Sequence, residues 1–336
     1  MLLLKKLETM LICIILIIVG ILIFLYTKNK IENFSESKIK INYLSAKEAA
    51  KVFLNSEKFP QIKKFRLNEI YARTTYYGSS SNINNMRNIA KKIYTKNTIN
   101  FTEVDKFKIN NNLNSLNKRI IDFNNKNNTN IPVMKTWNLI KISSDMDWGF
   151  PYTIDNYIVI SDNFITNTTT KQMLSTLFHE QFHIYQRKYP IIFKKLYSQW
   201  NFKYIKNFKL PSKIDDYIIT NPDAPNNDYI FKLNKSNYLL PILILDKNNN
   251  DNHLSKCIYL KKNKNSFEIK SSKLINLKDI PNYYTRFYKI NQNYHPNEIF
   301  ANLMSKIVFQ KLKLNNNDHK LIKKFFDINL QFFNKV

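Results

Sequence analysis

The chain has 336 residues, and 52 Lys and Arg against 25 Asp and Glu leave it with a net charge of +27. That length buries a sizeable core, and 44% hydrophobic with 14% aromatic content excludes an intrinsically disordered protein. Three Gly leave no G-x-G-x-x-G or Walker A phosphate loop, and two Cys exclude a disulfide framework or a four-cysteine zinc module.

The N-terminal flank, residues 1–9, precedes Met10–Tyr26 (MLICIILIIVGILIFLY), an uncharged run at the lower end of what spans a hydrocarbon core of about 30 Å. The bulky Phe24-Leu25-Tyr26 lacks a small-residue cleavage site, so the run predicts an uncleaved transmembrane anchor and a single-pass membrane protein. Orientation is poorly determined by Lys5 and Lys6 against Lys28, Lys30, Lys38 and Lys40. Residues 27–41 read as a linker.

Residues 42–130 read as a mainly helical region. Ser45–Asn55 has an N-cap Ser and Glu48 three residues on, and Asn84–Tyr94 and Thr102–Asn125 carry helical apolar spacing. From residue 131 the pattern changes. Thr136–Ser143 and Tyr157–Ser161 are β-rich, and Thr169–Tyr189 is a strong helix stopped by Pro190, with a second helix expected at Ile191–Trp200. Leu210–Asn227 is loop-like. Strands are expected at 228–233, 238–246 and 256–261, and final helices at Pro296–Lys313 and Asp318–Asn334. The last carries Phe and Leu beside Lys, as a membrane-surface helix would, although packing on the core is the simpler reading.

The lysines form no block. They are interleaved with 49 Asn, and A/T-rich coding accounts for much of the charge without a nucleic-acid partner. Cys257 reads as a packed small apolar residue, and His253 and His319 as solvated loop residues.

Chemistry concentrates in Thr176-Leu177-Phe178-His179-Glu180-Gln181-Phe182-His183. On a helix the two His of His-Glu-x-x-His lie on one face, one turn apart, and both imidazoles reach one ion. The Glu beside the first His then faces a metal-bound water as general base. With 5 His in the chain, chance supplies the motif only about 0.003 times. A catalytic zinc needs a third protein ligand. The continuation Ile184–Tyr189 lacks the Gly and His of a metzincin, whereas Tyr294-His295-Pro296-Asn297-Glu298-Ile299-Phe300-Ala301-Asn302 offers Glu298 in the first turn of a helix. Asn302, one turn on, is the candidate to orient a ligand histidine through its free ring nitrogen, and Ala301 allows close helix approach. His295 is an alternative ligand.

These residues resemble the zincin metallopeptidases of the Glu-ligand branch, the gluzincins, whose second segment runs Asn-Glu-x-x-small-Asp/Asn. The blocks PYTIDNYIVIS, TLFHEQFHIYQRKYP, NPDAPNNDYIF and YHPNEIFAN also resemble predicted zinc metallopeptidases of large DNA viruses, over about residues 135–312. The resemblance implies an α+β, zincin-like domain over residues 131–336, with a small sheet, an active-site helix and C-terminal helices. It implies zinc held by His179, His183 and Glu298, with Glu180 as base in peptide hydrolysis. It further implies an edge strand before the zinc helix, for which Tyr157–Ser161 is the candidate, and a donor to the oxyanion from Tyr294, His295 or Arg286. The partner implied is a peptide or protein substrate. Competing readings are an inactive zincin-like peptide-binding module and a basic DNA-associated protease; the intact Glu180 argues against the first, and the apolar N-terminal run against the second.

Overall fold

Two β-rich runs build the first sheet. In the computed structural model, which describes residues 16–22, 39–76, 78, 82–206, 208–224, 227–246, 249–264, 266–287, 290, 292–310, 312–313 and 315–335, β2 (Thr136–Ile142) lies parallel to β4 (Tyr157–Ser161), with Ile140 opposite Val159. β3 (Tyr152–Ile154) adds antiparallel to β4, and β1 (Lys40–Tyr43) completes the order β1-β2-β4-β3. β4 is therefore interior and not the expected edge. The short β3 has taken the edge, because the two-residue turn Asp155–Asn156, with Asp155 in the left-handed region, folds β3 and β4 into a hairpin.

The N-terminal helices α2 (Ala46–Leu54), α3 (Leu67–Thr74), α4 (Ile83–Lys96) and α5 (Glu103–Asn127) follow the apolar spacing, and Ser45 and Glu48 form the expected capping box of α2. Phe53, Phe59, Phe65 and Tyr94 bury their rings together in a core shared with Ile140 and Val159 of the sheet. No boundary falls at residue 130: residues Ile41–Val336 form one compact unit. The physical reason is that buried charged groups of the helices find partners beyond residue 131. Asp105 accepts from Lys141 at 2.7 Å, and Arg73 donates to Asp147 at 2.6 Å.

The transmembrane expectation is corrected. Among the described residues no helix is long and apolar enough to cross a membrane. Within residues 10–26 the described part is α1, over residues 16–22. The rest of the expected anchor, the flank and most of the linker lie outside the described residues. The single-pass membrane assignment falls with it.

After the first sheet come α6 (Asp162–Asn167), α7 (Thr170–Lys188) and α8 (Pro190–Gln199), with Pro190 opening the last of these. A second, antiparallel sheet has the order β5-β6-β7-β8-β9: β5 (Phe202–Tyr204), β6 (Tyr229–Lys232), β7 (Asn237–Asp246), β8 (Asn249–Asn263) and β9 (Ser266–Asn276). β9 escapes sequence reading because it is an edge strand with mostly exposed side chains. Between β5 and β6 runs α9 (Ser212–Asp215) and then a strap, residues 217–224. The strap lies along β7, with Ile219 N–H donating to Leu243 O and Leu245 N–H to Tyr217 O. Pro241, unusual in a long strand, sits where β6 has ended and the strap has not yet begun, so its missing donor leaves no ladder bond unmade.

The chain closes with α10 (Pro281–Phe287), α11 (Pro296–Gln310) and α12 (Asn316–Phe333). α12 packs on the core: Phe325, Phe326 and Phe333 meet Phe182 and Phe193 of α7 and α8 and Phe300 of α11.

Candidate metal centre

α7 and α11 lie side by side and run in opposite directions: Ser305 Oγ donates to Ser175 O at 2.9 Å near one end, and Gln186 Nε2 to Asn297 O at 3.0 Å near the other. The close approach uses Ala301, fully buried, and the Phe182 and Phe300 rings, which meet edge to face at 5.2 Å. Between these contacts His179, His183 and Glu298 converge. The two Nε2 atoms are 2.8 Å apart, and Glu298 Oε2 lies 3.3 Å from His179 Nε2 and 3.6 Å from His183 Nε2.

This group could hold a metal ion. Donors about 2.0–2.1 Å from a tetrahedral ion stand roughly 3.3 Å from one another, close to the spacings found. Glu298 Oε2 is buried and receives no hydrogen bond, an arrangement that costs free energy unless a cation answers it. The histidine tautomer is also fixed. Asn297 O only accepts, so Gln186 turns its Nε2 to that carbonyl and its Oε1 to His183 Nδ1, 2.8 Å away. Nδ1 therefore carries the proton, and the Nε2 lone pair points at Glu298. Burial pushes His183 down to about 3, so the imidazole is neutral at physiological pH, as a ligand must be. Burial raises the Glu298 carboxyl, but His183 and His179 outweigh it and hold the group below its ordinary value.

A second set, Glu180, His183 and Asp223, also clusters. It shares His183, whose one free lone pair serves only one ion. Asp223 is already occupied by Thr153, which donates its N–H at 3.0 Å and its hydroxyl, and by Arg187 at 3.6 Å. The first set is the better ligand group. Glu180, buried beside it, has Oε2 without a hydrogen-bond partner. Burial, then Asp223 and Glu298, push its carboxyl well above the ordinary value, which suits a group that takes up a proton.

The other expected residues divide. Tyr294 is in the site: Asn221 Nδ2 donates both to its hydroxyl and, at 2.6 Å, to Glu298 Oε1. Since the phenol oxygen accepts from Asn221, its own proton is left to donate, and burial followed by Glu298 keeps it protonated by raising its pKa well above 10. His295 is not in the site. Its Nδ1 accepts from Asn297 N–H at 3.1 Å, its Nε2 lies 3.5 Å from Asp228, and its ring stands on Tyr229. It caps α11, because Pro296 forces the helix to begin right after it. Asn302 does not orient a histidine. It folds back on its own helix to donate to Glu298 O at 3.1 Å, and also reaches Gln292. Gln186 takes that role instead. Arg286 lies 3.8 Å from Asp318, at the end of α10.

Sequence reading missed Gln186, Asn221, Asp223 and Asn297. Gln186 was legible: it falls seven residues after His179 and three after His183, on the ligand face. The strap residues carried no local signal, because their role depends on a chain crossing set by the second sheet.

The centre opens into a cleft of about 480 Å³. One part of its lining is apolar, with Trp148, Phe150, Pro151, Ile219 and Leu243; another is polar, with Ser175, Thr176, Asn302, Ser305 and Gln310. Phe150 is 61% exposed there, an unusual degree for a large apolar side chain in a concave surface. β3 borders the cleft but offers no free edge at Thr153: its N–H goes to Asp223 and its carbonyl to Arg187, at 3.2 Å.

No family model matches the chain, and neither a curated protein nor a solved structure matches it.

Proposed function

We propose that the protein is a zinc-dependent peptidase of the zincin type, with His179, His183 and Glu298 as the metal ligands and Glu180 as general base. The observation that carries this reading is the convergence of two imidazole Nε2 atoms and an unanswered carboxylate oxygen beside a second, unpartnered carboxylate. Two His and one Glu are a ligand set of catalytic zinc sites.

Bound there, zinc would polarise a substrate carbonyl and acidify a water. The chain's own residues do the rest. Glu180 takes a proton from the water that attacks the peptide carbonyl carbon. The Tyr294 hydroxyl donates to the carbonyl oxygen as negative charge develops on it. Glu180 then delivers its proton to the amine nitrogen as the C–N bond breaks, leaving a carboxylic acid and a free amine. Gln186 holds His183 in the ligating tautomer throughout. With Thr153 already engaged, the substrate backbone is held elsewhere in the cleft than on the outer edge of β3, and the Trp148–Phe150 wall favours a large apolar side chain.

The test combines metal content with cleavage of a mixed peptide library by the purified protein and its Glu180→Gln variant. About one zinc per chain in both proteins, with cleavage by the wild type alone, is expected. Cleavage retained in Glu180→Gln overturns the role of Glu180. Zinc without cleavage in either protein points to a binding module. No zinc in the folded, metal-supplemented wild type overturns the whole reading.

A further inference from the structure

The helices before residue 130 contain a buried ionic cluster that peptide hydrolysis does not require. On α3, Glu69 and Arg73 are 0% and 3% exposed, and Arg73 Nε donates to Glu69 Oε1 at 3.0 Å. Both side chains also grip one residue of the strap. Thr220 N–H donates to Glu69 Oε1 at 2.6 Å, and Arg73 Nη2 donates to Thr220 O at 2.5 Å. Arg66 adds a third hold, donating to Thr220 Oγ1 at 3.1 Å while clasping Asp215 through Nη2 at 2.6 Å and Nε at 3.1 Å. The far side of Arg73 is fixed by Asp147 at 2.6 Å, which also accepts from Tyr94.

The next strap residue is Asn221, whose amide holds Glu298 Oε1 and the Tyr294 hydroxyl. Asn221 Oδ1 in turn accepts from Asp223 N–H at 2.8 Å, so the amide cannot rotate without losing a bond at each end. One peptide unit thus separates a backbone position fixed by α3 from the side chain that orients a metal-ligand carboxylate. Holding Oε1 fixes the rotation of that carboxylate and leaves Oε2 aimed at the histidines. Fixing a ligand's orientation from a surrounding layer typically sets metal affinity by about 10–100-fold.

We propose that Glu69 and Arg73 are positioning residues of the metal centre, acting through the backbone of Thr220 and the side chain of Asn221 on Glu298. The helical region before residue 130 is then a working part of the site. The inference rests on the metal-centre reading above, and its test uses metal affinity rather than turnover.

Cobalt(II) affinity and the visible spectrum of the cobalt-loaded protein are measured for the full chain and its variants. Asn221→Ala is expected to weaken cobalt binding roughly 10–100-fold. Glu69→Leu, which removes the acceptor for Thr220 N–H, is expected to weaken it by at least about tenfold and to alter the spectrum. Glu69→Gln keeps an acceptor oxygen and should restore most of the loss. In an Asn221→Ala background, Glu69→Leu should add little, because the path is already cut. If Glu69→Leu does not fold, Arg66→Ala, which releases Thr220 Oγ1 from a partly exposed position, is expected to weaken binding several-fold. Unchanged affinity in the folded α3 variants, or full additivity with Asn221→Ala, overturns the proposal while leaving the metal centre intact. Failure of the wild type to bind cobalt overturns the metal reading itself.

Discussion

Gln186 Oε1 lies 2.8 Å from His183 Nδ1, one turn further along the same helix, and the Gln186 amide is pinned by Asn297 O at 3.0 Å. A candidate ligand on α7 is thereby oriented by the first turn of α11, the helix that carries Glu298. Replacing Gln186 with Leu frees the His183 ring to rotate and to exchange tautomers. Metal affinity is expected to fall about 10–100-fold, with the fold unchanged by circular dichroism. Competition against a chelator of known affinity measures it, and an unchanged constant would show that Gln186 does not orient the ring.

Tyr294 is buried, lines the cleft and shares the Asn221 amide with Glu298. Tyr294→Phe removes the donor to the cleft and one of the two acceptors of the Asn221 amide, which keeps its bond to Glu298 Oε1. The expected result is a fall of roughly 10²–10³ in kcat with zinc content intact. A rise in KM alone, or loss of zinc, would assign the tyrosine a different part.

How far the site was legible depends on where each residue's role is decided. His179, Glu180 and His183 are placed by helix periodicity alone, and Thr169–Tyr189 folds as the helix α7 within one residue at each end. Glu298 follows from a Pro-opened helix. Asn221 and Asp223 lie in a segment that reads as loop, and the pairing of residues 217–219 with β7 carries them to the candidate metal centre. Asn302 has the right spacing but spends its amide on its own helix, a choice between local and distant partners that spacing does not decide. The apolar run Met10–Tyr26 illustrates the reverse error: composition alone suggested a span, but among the described residues no helix is long and apolar enough to cross a membrane.

The pair Asp105–Lys141 gives a pH signature away from the metal. Burial pushes the Asp105 carboxyl up, but the 2.7 Å bond from Lys141 and the bonds from Thr102 outweigh it and hold the group below its ordinary 3.8. A carboxyl lowered in the folded state stabilises the protein above its unfolded pKa, and that contribution disappears as pH falls through the folded value. Asp105→Asn leaves the Lys141 ammonium buried without its partner and is expected to cost about 3 kcal/mol at pH 7. In urea titrations the gap between wild type and variant should shrink below about pH 4. A gap that is constant with pH would mean the ion pair contributes no charge-dependent stability.

Phe150 tests the apolar wall. Its exposure means that Phe150→Ala should change stability by less than about 0.5 kcal/mol. For peptides with a large apolar side chain, kcat/KM is expected to drop roughly tenfold, mostly through KM. Peptides with only small side chains should be cleaved as before. Equal losses for both sets would place the substrate side chain elsewhere.

The ring pair Phe182–Phe300 joins the two ligand-bearing helices at 5.2 Å, and both rings are fully buried. Phe300 also meets Phe193 and Phe325, so truncating it opens a cavity where α7, α8, α11 and α12 come together. Phe300→Ala is expected to cost about 3–5 kcal/mol, a large part of the roughly 5–15 kcal/mol that stabilises a folded domain. Phe300→Leu fills most of the space and should cost less than half as much. Because Phe300 lies two residues from Glu298, the Ala variant should lose metal affinity along with stability, whereas an equally destabilising change remote from α11 should leave affinity unmoved. Urea denaturation of metal-free protein and chelator competition on the folded fraction separate the two effects. A loss below about 1 kcal/mol for Phe300→Ala would show that the aromatic cluster does not hold these helices together.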